Sequence, residues 1–166
     1  MLVVAALGAC SDAREGSALT LDAGADEICV PAPADADVGT MFGGTWLAHQ
    51  GDGDLTFTAI ELLDPDGLTL TEALLVADPW PDGDLVGMRH TSDTSPLPAE
   101  WDDRVAATGA RLQPGETRNL VVIVTTDGAD VATAAGVRLG YADARGRRYH
   151  QDLSVTLMVA TISCFD

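Results

Sequence analysis

The strongest constraint on the fold lies near the end of the chain. Val137, Leu139 and Tyr141 alternate with Arg138, Gly140 and Ala142. After a short polar gap, Tyr149, Leu153, Val155, Leu157 and Val159 alternate with His150, Asp152, Ser154 and Thr156. A period of two marks strands with one buried face. Ala144-Arg145-Gly146 supplies a three-residue loop, with glycine where a left-handed residue is required. Closing the hairpin there sets Tyr141 opposite Tyr149, Val137 opposite Leu153 and Arg138 opposite Asp152. An aromatic, an aliphatic and an opposite-charge pair fall in one register, and each favours it independently.

The rest of the chain reads in the same idiom. Ile28-Cys29-Val30 and Thr45-Trp46-Leu47-Ala48 are short candidate strands, separated by the Pro/Ala/Asp loop from Pro31 to Gly39. Leu55, Phe57 and Ala59 alternate with Thr56 and Thr58. Asp64-Pro65-Asp66-Gly67 is a turn in which Pro fixes φ, Asp bonds nearby backbone and Gly takes positive φ. Leu68, Leu70, Leu74 and Val76 follow with period two, so a hairpin is expected here, although Glu61 and Glu72 interrupt its apolar face. Val105 to Leu112 is a weaker strand. Gln113-Pro114-Gly115-Glu116 is a type II turn, which does not suit a tight hairpin and is expected to carry the chain between sheets. Leu120 to Val124 is apolar on both faces, as in a central strand. Asp78 to Asp103 holds Pro79, Pro81, Pro96 and Pro98 and reads as a long loop. No segment shows a helical period.

The segment Leu112-Gln113-Pro114-Gly115-Glu116, followed by Gly136-Val137-Arg138-Leu139-Gly140-Tyr141, resembles the late strands of immunoglobulin-like domains on bacterial surfaces. The expected fold is an all-β, antiparallel, immunoglobulin-like β-sandwich of about seven to nine strands.

Near the start, Leu7-Gly8-Ala9-Cys10 follows the apolar run Leu2 to Leu7. These four residues resemble a bacterial lipobox, in which a signal peptide is cut before a cysteine that carries lipid. The first basic residue is Arg14, beyond the cysteine, so residues 1–9 read as a truncated lipoprotein signal peptide. Residues 10–27 are then a flexible tether and 28–166 the sandwich domain. The resemblance implies an exported domain held on the bacterial cell membrane by acyl chains on Cys10. Ser11 after the cysteine permits outer-membrane sorting. The chain has three cysteines. If Cys10 is acylated, Cys29 and Cys164 remain as a pair, and export makes a disulfide reasonable; two buried free thiols are the alternative.

Net charge is −17, from 26 acidic residues against nine basic ones. That balance argues against nucleic acid as a partner, because phosphate binding needs a basic footprint. No Gly-x-Ser-x-Gly, His-Glu-x-x-His or phosphate-cradling loop occurs, so the expectation is a non-catalytic binding module without a cofactor. The alternatives are a metal-binding envelope protein and an uncharacterised hydrolase. For calcium, Asp52/Asp54, Asp64/Asp66 and Asp82/Asp84 place carboxylates two apart, though such pairs are also ordinary turn residues. For copper, Met88 and His90 offer a thioether and an imidazole, with Met41 and His49 as possible additions. His150 falls on the polar face of the last hairpin. Trp80, stiffened by Pro79 and Pro81, is a candidate contact for an envelope protein or glycan, together with Trp101 and Arg89. Trp80 folding back as a lid is the alternative. Arg145, Arg147 and Arg148 form the one basic cluster. They suit an anionic partner, or the balancing of Asp143 and Asp152.

Overall fold

In the computed structural model, which describes residues 13–35, 37–77, 86–161 and 164, the terminal hairpin has the register its side chains favour. Strands β12 (Gly136–Asp143) and β13 (Arg148–Leu153) pair Tyr141 with Tyr149, Val137 with Leu153 and Arg138 with Asp152. The two tyrosine rings stack at 5.7 Å. Arg138 Nε and Nη2 each donate to the Asp152 carboxylate at 2.7 Å. Gly146 takes φ 76° in the loop.

The hairpin extends beyond this sheet. Strand β11 (Val131–Ala134) pairs antiparallel with β14 (Thr156–Ala160). Between the two halves, Ala135 and Gly136 face Ser154, Val155 and Thr156, a two-against-three mismatch that breaks the sheet. On the far side of β14, strand β3 (Glu27–Pro31) runs parallel to it, with Cys29 beside Met158. The Cys29–Cys164 disulfide closes there, with Cα atoms 5.7 Å apart.

The remaining strands complete two sheets. The front sheet runs β1 (Arg14–Glu15), β13, β12, β5 (Leu55–Leu63), β9 (Arg111–Leu112). The back sheet runs β2 (Leu19–Asp22), β4 (Thr40–His49), β10 (Thr117–Thr126), β6 (Leu68–Ala77), β8 (Val105–Ala106), with β7 (Met88–His90) also on β4. Taking β2, β4, β5, β6, β10, β12 and β13 as A to G, the orders are A-B-E-D and C-F-G. This is the arrangement of an immunoglobulin-like sandwich. Fourteen strands are described, more than the seven to nine expected. Several have only two to four residues and patch the edges.

The core lies between the sheets, with Leu47, Phe57, Leu112, Leu120, Val122, Leu139, Tyr141 and Leu157 among its buried side chains. Strand β10 is apolar on both faces because both are covered. Leu120, Val122 and Val124 face the core, while Val121 and Ile123 belong to a second cluster on the outer face of the back sheet.

Three expectations are corrected. Strands β5 and β6 do not form a hairpin: they lie in different sheets, and Asp64-Pro65-Asp66-Gly67 carries the chain across. Asp64 (φ 43°) and Gly67 (φ 71°) both take left-handed backbone. Asp66 exchanges backbone hydrogen bonds with Thr133 at 2.7 and 2.8 Å, which fastens the turn to β11 instead. Val105 to Leu112 is not one strand but two fragments, β8 and β9, in opposite sheets. The expected tether is folded from Arg14 onward. β1 pairs parallel with β13, Leu19 is buried, and β2 pairs with β4. The Gln151 side chain serves β2 as a neighbouring strand would: its Oε1 accepts from Leu19 N–H and its Nε2 donates to Leu19 O. The Pro-Gly turn at 113–116 does connect β9 in one sheet to β10 in the other, with Gly115 at φ 76°.

Candidate functional site

From Val86 onward, the long segment before β8 forms a cover on the back sheet. Its part from 78 to 85, which includes Trp80, Asp82 and Asp84, lies outside the described residues. Val86 is buried with Met41, Leu74, Val76, Val121 and Ile123, and Leu97 and Trp101 pack on them. Met88 to His90 adds β7 to the start of β4, pairing Met88 with Phe42 and His90 with Thr40. A short 3-10 helix, Ala99–Asp103, then presents Trp101 to the cluster. The Arg104 guanidinium stacks on the outer side of that indole at 4.7 Å.

A bulge in β4 makes room for this cover. Gly43 and Gly44 together face Val121 of β10, and Gly44 has φ 89°. A side chain at Gly43 would meet the Val86 carbonyl, so only glycine lets the two backbones approach. The bulge also divides the outer edge of β4. Thr40–Phe42 holds β7, and Trp46–His49 holds β2.

Polar groups fix the turn after β7. Arg89 pairs with Asp93 at 3.4 Å and donates to Pro96 O. The Asp93 carboxylate accepts from Ser95 N–H and from the Ser95 hydroxyl. Those bonds, with Arg89 beside them, hold its carboxyl below the usual range. Arg89 is therefore engaged within the segment. Met88 is 51% exposed, and Trp101 is half-buried.

The residues weighed for copper do not assemble. Met88 and His90 share the side of Phe42 and Thr40, whereas Met41 is buried on the opposite face of the sheet with Val121 and Ile123. His90 Nδ1 lies 3.4 Å from Thr40 Oγ1. His49 is at the other end of β4 and is 2% exposed. Its Nε2–H donates to Gly53 O at 2.7 Å, and its Nδ1 accepts from Gly51 N–H at 3.0 Å. Both ring nitrogens thus pin the 50–53 turn. Of the paired aspartates weighed for calcium, Asp54 pairs with Arg111 at 3.6 Å. Among the described residues, no three His, Cys, Asp or Glu side chains gather around one point.

A second surface lies at the opposite end of the sandwich. Ser17, His49, Asp52, Tyr141, Asp143, Arg145, Arg147 and Tyr149 line a depression of about 680 Å³ beside the terminal hairpin. Arg147 pairs with Asp143 at 2.5 Å. Asp143 also accepts the backbone N–H groups of Arg145 and Arg147. Asp152 takes Arg138 as its partner rather than the loop arginines. Among the described residues, the Arg145 and Arg148 guanidinium groups have no ion-pair partner. His150 is partly exposed on the outer face of the front sheet, as its place in the alternation implies.

These ion pairs make the hairpin pH-sensitive. Arg147 beside Asp143 and Arg138 beside Asp152 hold both carboxyls below the usual range. A depressed carboxyl stabilises the fold above its unfolded-state pKa, and that contribution is lost as pH falls through the folded value. Asp152→Asn should therefore melt below the native protein at about pH 6, and the difference should vanish by about pH 2. A difference that persists unchanged at the lower pH would refute this assignment.

No protein-family model and no curated protein matches the chain. Among solved structures it is similar to an ASH/PapD-like domain of human CEP192 (PapD-like domain 7), with 11% identity over 99% of both chains and a TM-score of 0.43. It is also similar to the VesB protease of Vibrio cholerae, with 11% identity, 87% of this chain and 32% of that one covered, and a TM-score of 0.41. Likenesses this distant assign neither an activity nor a partner.

Proposed function

We propose that the chain is an exported, lipid-anchored domain of the bacterial cell envelope that binds a partner without catalysing a reaction. One observation carries the anchored part. Cys29 and Cys164 are joined, which leaves Cys10 as the odd cysteine, and folded strands begin four residues later at Arg14. A structural disulfide belongs outside the cytoplasm, and a lone cysteine behind Leu7-Gly8-Ala9 is where a lipoprotein would be acylated. Two or more acyl chains on one cysteine make a stable anchor, whereas one chain holds only marginally. Cys10→Ser, expressed with a complete signal peptide, should move the protein from the membrane to the soluble fraction. Unchanged detergent partitioning of that variant would refute the anchor.

The binding part rests on the cover over the back sheet. A rigid sandwich that presents a long, fixed surface segment is a common design for recognition. Here the segment shows Met88 and one side of Trp101, and its partner would be another envelope protein or a glycan. Trp80 between its two prolines would be the anchoring contact, with Trp101 and Arg89 as further candidates. Trp80→Ala should leave the melting temperature within about two degrees while weakening capture of crosslinked partners by at least about 2 kcal/mol. A large fall in melting temperature would instead make Trp80 a buried lid and remove it from the binding surface.

A further inference from the structure

We infer that the domain sits on the membrane in one orientation, with the tip of its terminal hairpin against anionic phospholipid headgroups and the 86–104 segment turned away. This rests on the lipid anchor at Cys10. Only Ser11, Asp12 and Ala13 separate that cysteine from β1. Extended chain spans at most about 3.6 Å per residue, so the anchor and the sandwich are within roughly 14 Å of each other. A leash that short does not let the domain tumble.

The strand pairing says which side the leash leaves from. β1 runs parallel to β13 with Arg14 beside Tyr149. The start of β1 therefore lies at the hairpin-loop end of β13, and Ala13 shares a depression with Arg148, Tyr149 and His150. Arg14, Arg138, Arg145, Arg147 and Arg148 lie around this exit, with Glu15, Asp52, Glu61, Asp143 and Asp152, and with Asp12 just before Arg14 in the chain. Only four arginines remain for the rest of a chain with 26 acidic residues. This end is therefore close to charge balance, with Arg145, Arg147 and Arg148 at the hairpin tip, whereas 20 acidic residues accompany the other four arginines.

Electrostatics then sets the pose. Screening in physiological salt extends about 8 Å, and an anionic leaflet attracts basic residues within that distance. Any other orientation on so short a leash would bring the acidic bulk of the domain against like charge. The cover faces away as a result. Its β7 pairs with the start of β4, and His49 at the end of β4 lines the depression beside Arg145 and Arg147. At about 3.3 Å per strand residue, these ends are some 25–30 Å apart.

The test couples the 166-residue chain, disulfide intact, through the Cys10 thiol to a maleimide lipid. The vesicles are phosphatidylcholine alone or phosphatidylcholine with phosphatidylglycerol. Amide exchange over 144–148 should be at least about fivefold slower on the anionic vesicles than on the neutral ones, with 86–104 unchanged. Arg145→Glu with Arg148→Glu should abolish that difference while the protein stays coupled. Equal exchange on both vesicles, protection over 86–104, or protection surviving in the double variant would overturn the orientation. Because the coupling is chemical, such a failure leaves acylation in cells untouched, and release of Cys10→Ser from cell membranes is read separately.

Discussion

Replacing Cys29 and Cys164 by serine should destabilise the fold by about 4–5 kcal/mol, the chain-entropy cost of opening a loop this long. The two cysteines are 135 residues apart, so the bond restricts nearly the whole unfolded chain. For a domain of this size, that loss corresponds to a fall in melting temperature of roughly 10–20 °C. The effect should concentrate on β3, which among the described residues has β14 as its only neighbouring strand and buries little beyond Ile28 and Val30. Denaturant unfolding of the oxidised protein and the double variant gives the difference directly. A loss under about 1 kcal/mol would mean that β3 is held without the bond.

Gly43→Ala should cost about 2–4 kcal/mol and loosen the cover over the back sheet. An ideal Cβ at Gly43 would stand 1.8 Å from the Val86 carbonyl oxygen. That oxygen belongs to backbone and cannot rotate aside as a side chain would. Relief requires moving Val86 and Gly87, which unpairs β7 and exposes Met41, Val121 and Ile123. Gly87→Ala is the control: it lies in the same segment, with open space around its Cβ position. It should change stability by no more than about 0.5 kcal/mol. Comparable losses in both variants would show that the segment tolerates no change at all, and that the close approach at Gly43 is not the cause.

The terminal hairpin was legible because three cross-strand preferences agree on one register, and a single turn closes it. The strands of the first half were harder, for a reason visible in their pairing. Tyr141 pairs with Phe57 and Gly140 with Ala59, so Thr58 is an extra residue that shifts the buried face of β5 from Leu55 and Phe57 to Ile60. Thr71 does the same in β6: Ile123 pairs with Glu72 and Val124 with Leu70. A residue inserted mid-strand reverses the alternation, so a strict period of two misreads the second half. That is why Glu61 and Glu72 seemed to fall on an apolar face. The choice between hairpin and crossover at Asp64-Pro65-Asp66-Gly67 was beyond local reading, since the deciding contact, Thr133, lies far along the chain. Leu19-Thr20-Leu21-Asp22 does alternate, but four residues cannot be told from tether without their partner β4.

The candidate site was legible in part. Asp78 to Asp103 stood out by length and proline content, yet nothing local announced a cover. The available signal was Leu120 to Val124, apolar on both faces, which demands something over the outer face of β10. Gly43-Gly44 was the matching signal for the close approach beneath that cover. Both ring nitrogens of His49 are used by the adjacent turn, a pairing set by Gly51 and Gly53 that residue type alone does not reveal.

The central claim is that Cys10 carries lipid in the cell, and peptide mass measurement tests it most directly. Tryptic digestion of protein purified from membranes should yield Cys10–Arg14 as the N-terminal peptide, with acyl chains on the cysteine and nothing before it. A peptide in which Cys10 is unmodified and still joined to Ala9 would contradict the account.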